Sequence, residues 1–346
     1  MPTEIKLTSE AGTNAPYKLG SPPDFGTLYS GRALEFDGLT DYVDTGYTGL
    51  TVHTNATTSF WCKMGDFSGS QTMGCHHSKR FYVGFNGENA FIGVADSFKA
   101  ATDISSYIAI DTWMHICLVA EDGTATYYID GVARDTMAYE QSSEHNPDSN
   151  FFIGARSPAA NYYTGNICQV GIWDAALDQE QIQSIMEKTY EEFTASEKED
   201  LVSYWALDEA ATNDGSVAIV EDKNDTTFGS NITPTWSDVG LAGTASVSGQ
   251  VITFPQSGVS QVNASDASAG IIKINATVTN YTGSGNVNLP WDGAGGSNML
   301  ISANGTFEYY ANAADASWSI YTPDGAGCTV TINSMKKPNG NYGALV

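Results

Sequence analysis

The stretch Ala125–Leu177 constrains the fold more than any other part of the chain. It reads A-T-Y-Y-I-D-G-V, a polar excursion, F-F-I-G-A, and then N-Y-Y-T-G-N-I-C-Q-V-G-I-W-D-A-A-L. Aromatic and β-branched runs parted by turn residues are the pattern of successive antiparallel strands. Tyr127 and Ile129 alternate with Thr126 and Tyr128, and Asp130-Gly131 supplies a tight hairpin turn. Phe151 and Ile153 share one face of the next strand. Strict alternation then places Cys168, Val170 and Ile172 on one face and Ile167, Gln169, Gly171 and Trp173 on the other. A helix follows. Asp178 and Gln181 form a capping box, and Ile182, Ile185 and Met186 have helical spacing.

The Y-I-D-G turn, the F-x-I-G strand and G-N-I-x-x-V-G-I-W-D-x-x-L resemble the C-terminal half of a laminin-G-like, concanavalin A-like jelly roll. G-R-A-L-E-F-D-G-L-T-D-Y-V-D-T-G at Gly31–Gly46 is similar to that family's opening strand pair. T-T-S-F-W-C-K at Thr57–Lys63 and W-M-H-I-C-L-V at Trp113–Val119 match its next recurrent strands. The resemblance covers roughly residues 30–190 and speaks for fold. It is weak for function, because such sandwiches serve as lectins, glycosidases, adhesion modules and spacers.

A chain of 346 residues accommodates two domains, each with its own core. The expected fold class is all-β: two antiparallel β-sandwich (jelly-roll) domains in tandem, with one short helix near residues 178–192. Residues 1–30, with Pro2, Pro16, Pro22 and Pro23, read as an extended N-terminal arm. Residues 31–229 form the first sandwich, including a flanking strand at Leu201–Glu209. That phrase, L-V-S-Y-W-A-L-D-E, is similar to strands flanking laminin-G-like modules in phage and bacterial surface proteins, and is expected to pair back onto the first sandwich.

From residue 235 to 346 a smaller sandwich is expected, from short strands spaced about 8–12 residues apart with Gly, Asn and Asp between them. Ile272, Ile274, Ala276 and Val278 alternate with Lys273, Asn275, Thr277 and Thr279, a strand buried on one face. Its rhythm loosely resembles carbohydrate-binding-module-like sandwiches that end some phage structural proteins.

The formal charge of −25 is unevenly spread. Residues 1–229 hold 12 basic and 34 acidic residues (net −22), leaving 3 basic and 6 acidic (net −3) in residues 230–346. An acidic surface repels phosphate backbones, so nucleic acid is not an expected partner. Five cysteines without a CxxC pair fit neither a disulfide scaffold nor a zinc ribbon. The opening M-P-T-E-I-K-L-T lacks an apolar h-region and no run is long enough for a membrane span. The expectation is synthesis in a host cytoplasm without a signal peptide, no membrane insertion, and residence on a virion surface or, alternatively, at a cell surface.

Catalysis is not indicated. A glycoside hydrolase needs two carboxylates across a cleft, about 5–10 Å apart. The E-x-D-x-x-E strand of laminarinase-type relatives is missing, and Glu121-Asp122, Glu140, Glu144 and Asp148 read as loop acids. His115 lies mid-strand, no G-x-S-x-G elbow accompanies the histidines, and adjacent His76-His77 beside Cys75 seldom converge on one ion.

No cofactor is required, although the family resemblance implies a structural Ca²⁺. Asp37 and Asp41 match that region, and either hold the ion or shape the turn through Asx hydrogen bonds. The acid pair such a site also uses is replaced here by Cys168 and Gln169.

Sugar rings stack on exposed aromatic faces flanked by Asn, Asp and Gln. The candidates are Trp291 with Asp292, Tyr162 and Tyr163 beside Asn161, and Tyr310, with Tyr309 and Trp318 as further options. Trp291 leads, because a Trp in a P-W-D-G turn is seldom a core residue.

These readings lead to a non-enzymatic virion protein, a bacteriophage tail, fibre or capsid-decoration component that attaches to host surface glycan. Its partners would be other virion proteins and copies of itself in a homo-oligomer. A free lectin and a glycoside hydrolase on the same fold are the alternatives.

Overall fold

The computed structural model describes residues 7–9, 32–48, 55–76, 81–94, 97–140, 150–156, 160–208, 219–220, 222–241, 243–265, 270–283, 285–291, 299–313, 318–323 and 326–345. Among the described residues it is nearly all β, with antiparallel sheets and one α-helix. The chain divides into two compact units. The first comprises residues 1–211, 220–225 and 340–346, and the second residues 212–219 and 226–339. The second module therefore does not run to the C-terminus. Residues 343–345 form a strand that pairs with Val43–Asp44, deep in the first module's sequence.

One sheet of the first unit runs in the order Leu7–Ser9, Arg32–Asp37, Thr164–Trp173, Asn55–Met64, Trp113–Glu121, Thr124–Ile129, Val132–Ala138. The other runs Ile219–Val220, Gly343–Leu345, Val43–Asp44, Phe151–Ile153, Ser70–His76, Phe81–Asn86, Asn89–Val94, Ser97–Asp103. Between them lies one apolar core that takes Phe60, Ile116 and Tyr127 from the first sheet and Phe81, Val83, Ile92 and Phe151 from the second. At Asp130-Gly131 both φ angles are positive (49° and 69°), and Ile129 faces Val132 across the turn. This conformation suits the right-handed twist of a hairpin.

The strand Thr164–Trp173 departs from strict alternation. Ile167 joins Cys168, Val170 and Ile172 in one core. The reason is a bulge: the register against Asn55–Met64 shifts between Cys168 and Gly171, and Gln169 has a φ of 49°. One extra residue turns the following side chains to the opposite face. It also changes the edge partner. Residues before the bulge pair with Arg32–Asp37, and those after it pair with Leu201–Trp205.

Beyond the bulge, Trp173 points away from the central core into a second cluster with Cys117, Val119, Leu177, Ile182, Ile185, Phe193, Leu201 and Tyr204. The helix Gln179–Ile185 roofs this outer face. Its capping box is complete: the Gln181 N–H donates to Asp178 Oδ1 at 2.8 Å, and the Asp178 N–H donates to Gln181 Oε1 at 2.9 Å. Because the helix covers the outer face, the strand is buried on both sides from Trp113 to Ala120. That explains its continuous apolar run.

The second unit has two five-stranded sheets. One is Thr235–Asp238, Ser260–Ser265, Trp318–Thr322, Val287–Trp291, Met299–Ile301. The other is Ser246–Ser248, Val251–Phe254, Ala326–Lys336, Gly270–Gly283, Gly305–Ala313. Ile272, Ile274, Ala276 and Val278 face its core together with Ile252, Val262, Val287, Ile320 and Val330.

Candidate carbohydrate-binding surface

The outward face of the first unit's second sheet carries a row of side chains fixed by strand register. Asp44 lies opposite Phe152, and Phe152 opposite Cys75, while Val43 and Ile153 point into the core. Tyr42 precedes Asp44 by two residues and shares its side of the chain. Its ring lies 5.8 Å from Phe152 at an interplanar angle of 69°. On its other flank Tyr162 stands 6.5 Å away at 42°. Tyr42 and Tyr162 are half-exposed, whereas Phe152 is 8% exposed and forms the floor. Burial, and then the nearby charge of Asp44 and the Tyr162 hydroxyl, raises the Tyr42 pKa, so its hydroxyl stays a hydrogen-bond donor.

Polar groups flank this aromatic step. Asp44 Oδ1 accepts from Asn150 Nδ2 at 2.7 Å and from the Gly46 N–H at 3.0 Å. Tyr162 is presented by a chain segment pinned to the sheet. The Gly154 N–H donates to the Met73 carbonyl, the Thr72 N–H to the Asn161 carbonyl, and the Tyr163 N–H to the Gly154 carbonyl. Asn161 has a φ of 53°, which asparagine tolerates better than most residues. The arrangement offers half-exposed rings for the apolar faces of a sugar, with a carboxylate and an amide for its hydroxyls.

The sequence-derived candidates separate on this surface. Tyr162 belongs to it. Tyr163 does not: it is fully buried and packs edge-on against Phe36 at 6.2 Å, so it cannot stack on a sugar. The Asn161 side chain bonds the Tyr82 hydroxyl inside the sheet's cover. Tyr42, Asp44, Asn150 and Phe152 were not among the candidates. Their signal was the alternation in D-Y-V-D, which sets Tyr42 and Asp44 against Val43, together with the middle aromatic of F-F-I.

In the second unit Trp291 closes the strand Val287–Trp291 opposite Ser319, and Asp292 lies outside the described residues. Tyr309 and Trp318 occupy strand positions opposite Ile274 and Ala264. Tyr310 is half-buried and faces Lys273 across the strands.

At the proposed calcium position, Asp37 Oδ1 accepts the N–H groups of Leu39, Thr40 and Asp41 at 2.7, 2.8 and 3.2 Å. Asp41 Oδ2 in turn accepts the Asp37 N–H at 3.1 Å. This is the Asx-type turn. Burial, then the charges of Asp37 and Glu35, push the Asp41 carboxyl up to about 6. Cys168, where the family resemblance would call for an acid, is a buried thiol held protonated by desolvation. Among the described residues, no group of three or more His, Cys, Asp and Glu side chains is placed to hold a metal ion. The carboxylates of Asp37 and Asp41 thus shape the turn by accepting backbone N–H groups.

His115 is buried, with Nε2 2.7 Å from Ser59 Oγ, and burial lowers its pKa to about 3. It is a neutral core histidine. His76 is also buried, its Nε2 3.3 Å from the Thr48 carbonyl, and His77 lies outside the described residues.

Residues 36–183 match the family described as the concanavalin A-like lectin/glucanases superfamily. Over those residues the first module is similar to that superfamily, and its two-sheet sandwich is consistent with the match. No curated protein matches the chain. Among solved structures, a proposed carbohydrate binding protein from Bacteroides ovatus is similar at 14% identity, with a TM-score of 0.43 over 55% of this chain and 54% of that one. This chain thus spans about half the length of that protein. The CBM40 of the Ruminococcus gnavus IT-sialidase, bound to α2,3-sialyllactose, is 14% identical with a TM-score of 0.36, over 44% of this chain and 95% of that one. The enzymatically active domain of tailspike protein 2 from bacteriophage CBA120 is 13% identical with a TM-score of 0.39, over 61% and 35%.

Proposed function

We propose that this chain is a non-enzymatic attachment protein whose laminin-G-like module holds glycan on the Tyr42–Phe152–Tyr162 step. The observation that carries the reading is the pairing of two half-exposed tyrosine rings with the Asp44–Asn150 hydrogen bond on one sheet face. A shallow surface of this kind makes weak contacts, which become useful when many copies act together. Display in many copies on a virion, as part of a tail, fibre or decoration, supplies that multiplicity. The resemblance of L-V-S-Y-W-A-L-D-E to strands flanking such modules in phage and bacterial surface proteins supports display on a surface.

A non-catalytic role is supported by the acids and the histidine of the first module. Asp37 and Asp41 spend carboxylate oxygens on backbone N–H groups, and His115 is shut inside the core. The test is a glycan array with the full chain on a multivalent support, with Tyr42→Ala and Tyr162→Ala in parallel. Wild-type binding lost in both variants is the expected result. Binding unaffected by either variant, or cleavage of a bound glycan, would overturn it.

A further inference from the structure

The second unit holds three basic residues, Lys273, Lys336 and Lys337; the fold brings Lys273 and Lys336 to one end of one sheet face, and Lys337 follows where the strand ends. Lys273 lies opposite Lys336 on one side and Tyr310 on the other. Cross-strand partners share a face, and the neighbouring Ile272, Ile274, Ala311 and Met335 fill the core. Tyr310, Lys273 and Lys336 therefore form one outward row across three strands, and the exposed Lys337 follows directly. Lys273 Nζ pairs with Glu308 Oε1 at 2.7 Å and sits 5.2 Å from the Phe228 ring and 5.5 Å from the Tyr310 ring. Glu308 and the two rings thus hold Lys273 in place. Among the described residues, no carboxylate pairs with Lys336 or Lys337.

The same face continues as uncharged polar rows. Asn275 lies opposite Ser334, and the bulged Asn333 donates to Asn275 Oδ1 at 2.7 Å and to Thr277 Oγ1 at 2.8 Å. Thr277 stands between Thr306 and Thr331, and Thr329 between Thr279 and Thr253. Rows two residues apart are about 7 Å apart along a strand, so four rows span roughly 20 Å. The surface begins with half-exposed rings and the ammonium groups of Lys336 and Lys337, which no carboxylate among the described residues neutralises, and runs on as amides and hydroxyls. It stands on a chain whose net charge is otherwise strongly negative.

We propose that this face binds an acidic oligosaccharide, one bearing carboxylate or sulfate groups. Lys336 and Lys337 take the anionic group, the Phe228–Tyr310 pair takes a ring face, and the Asn275, Asn333 and threonine rows take hydroxyls. A second copy of this acidic chain could also answer the positive charge. The long run of amides and hydroxyls beside the rings favours sugar, which presents hydroxyls at every unit. The site is separate from the Tyr42 surface and stands or falls independently of it.

The test titrates the full chain with oligogalacturonate and a heparin-derived oligosaccharide, and with maltoheptaose as the neutral probe. The variants are Lys336→Gln/Lys337→Gln and, for the other site, Tyr42→Ala. The expected result is binding of an acidic probe that weakens with added salt, falls at least tenfold in the double lysine variant and is unchanged in Tyr42→Ala. Matching melting curves and circular dichroism would show that the lysine variant is folded. Acidic and neutral probes bound alike, or acidic binding insensitive to the lysine variant, would overturn the proposal. So would absence of binding, whether or not sedimentation shows a self-association that the lysine variant abolishes.

Discussion

The indole N–H of Trp205 donates to the carbonyl of Asn341 at 2.7 Å, joining residues 136 apart in the sequence. Asn341 also donates from its backbone to Asp222 Oδ2 at 3.0 Å and from its side chain to Ser203 Oγ at 2.7 Å. Asp222 is fully buried, and its other oxygen receives the N–H groups of Tyr204 and Asn224. The C-terminal segment is thus structural to the first sandwich. Removing residues 340–346 takes away the strand on Val43–Asp44 and leaves the Trp205 donor and one Asp222 oxygen without these partners. A buried polar group so stranded costs about 1–3 kcal/mol. The urea midpoint of the truncated chain is expected to fall clearly below that of the full chain. Equal midpoints would show that the segment contributes nothing.

Stability is expected to fall as pH rises through the window between about 4 and 6. Burial raises the Asp130 carboxyl to about 6, against opposing help from the His115 N–H and Arg134. Asp41 is raised to about 6 as well. A carboxyl whose folded pKa exceeds its unfolded value binds more protons when folded, so its contribution is complete below the unfolded pKa and lost as pH rises through the folded one. Asp130→Asn keeps an acceptor for the His115 N–H, 2.9 Å away, and asparagine accepts the φ of 49°. It should gain on the order of 1 kcal/mol at pH 7 and flatten the slope between pH 4 and 6. Chemical denaturation across that range measures both, and an unchanged slope would contradict the assignment.

Glu197 works in the opposite sense. Burial opposes its ionisation, but hydrogen bonds from Lys188, Ser184 and Thr194 outweigh burial and hold the carboxyl at about 2. Its contribution is present above the unfolded value near 4.5 and is lost as pH falls toward 2.

Adjacent tyrosines should respond differently to the same substitution. Tyr163→Ala empties a core site against Phe36 and should cost about 3–5 kcal/mol, as large aromatic truncations do. Tyr162→Ala removes a half-exposed ring and should cost under about 1 kcal/mol while abolishing glycan capture. Thermal melting separates the two, and similar losses of stability would place both rings in the core.

Strands were legible where burial imposed a period, and the site was less so. The hairpin at Asp130-Gly131, the helix cap at Asp178 and the alternation from Ile272 to Val278 follow from local chemistry, and each stands in the fold. Ile167 fell on the wrong face because a bulge at Gln169 interrupts the alternation, and φ at one glutamine is not written in residue identity. The return of Gly343–Leu345 to Val43–Asp44 depends on a pairing roughly 300 residues long-range, which local patterns cannot specify. The aromatic surface escaped for a related reason. Tyr42, Phe152 and Tyr162 are brought together only by sheet register and by the pinned loop.

The turn at Asp37 should be indifferent to metal. Asp37 Oδ1 already accepts three backbone N–H groups, and Oδ2 accepts the Thr40 hydroxyl at 3.2 Å. These bonds hold the Asp37 carboxyl below its usual range despite the opposing effect of burial. Asp37→Ala removes the acceptor of three turn N–H groups, of which those of Leu39 and Thr40 are exposed and can turn to water, and should cost about 0.5–1.5 kcal/mol. Asp37→Asn supplies an oxygen in the same place and should cost less than about 1 kcal/mol, since Asx turns form with either residue. A calcium site would behave otherwise, because replacing a carboxylate ligand by an amide weakens a hard-cation site. Chelator should therefore leave the melting temperature of the wild-type chain unchanged, and added calcium should not raise it. A calcium-dependent rise that Asp37→Asn abolishes would show that the turn holds an ion after all.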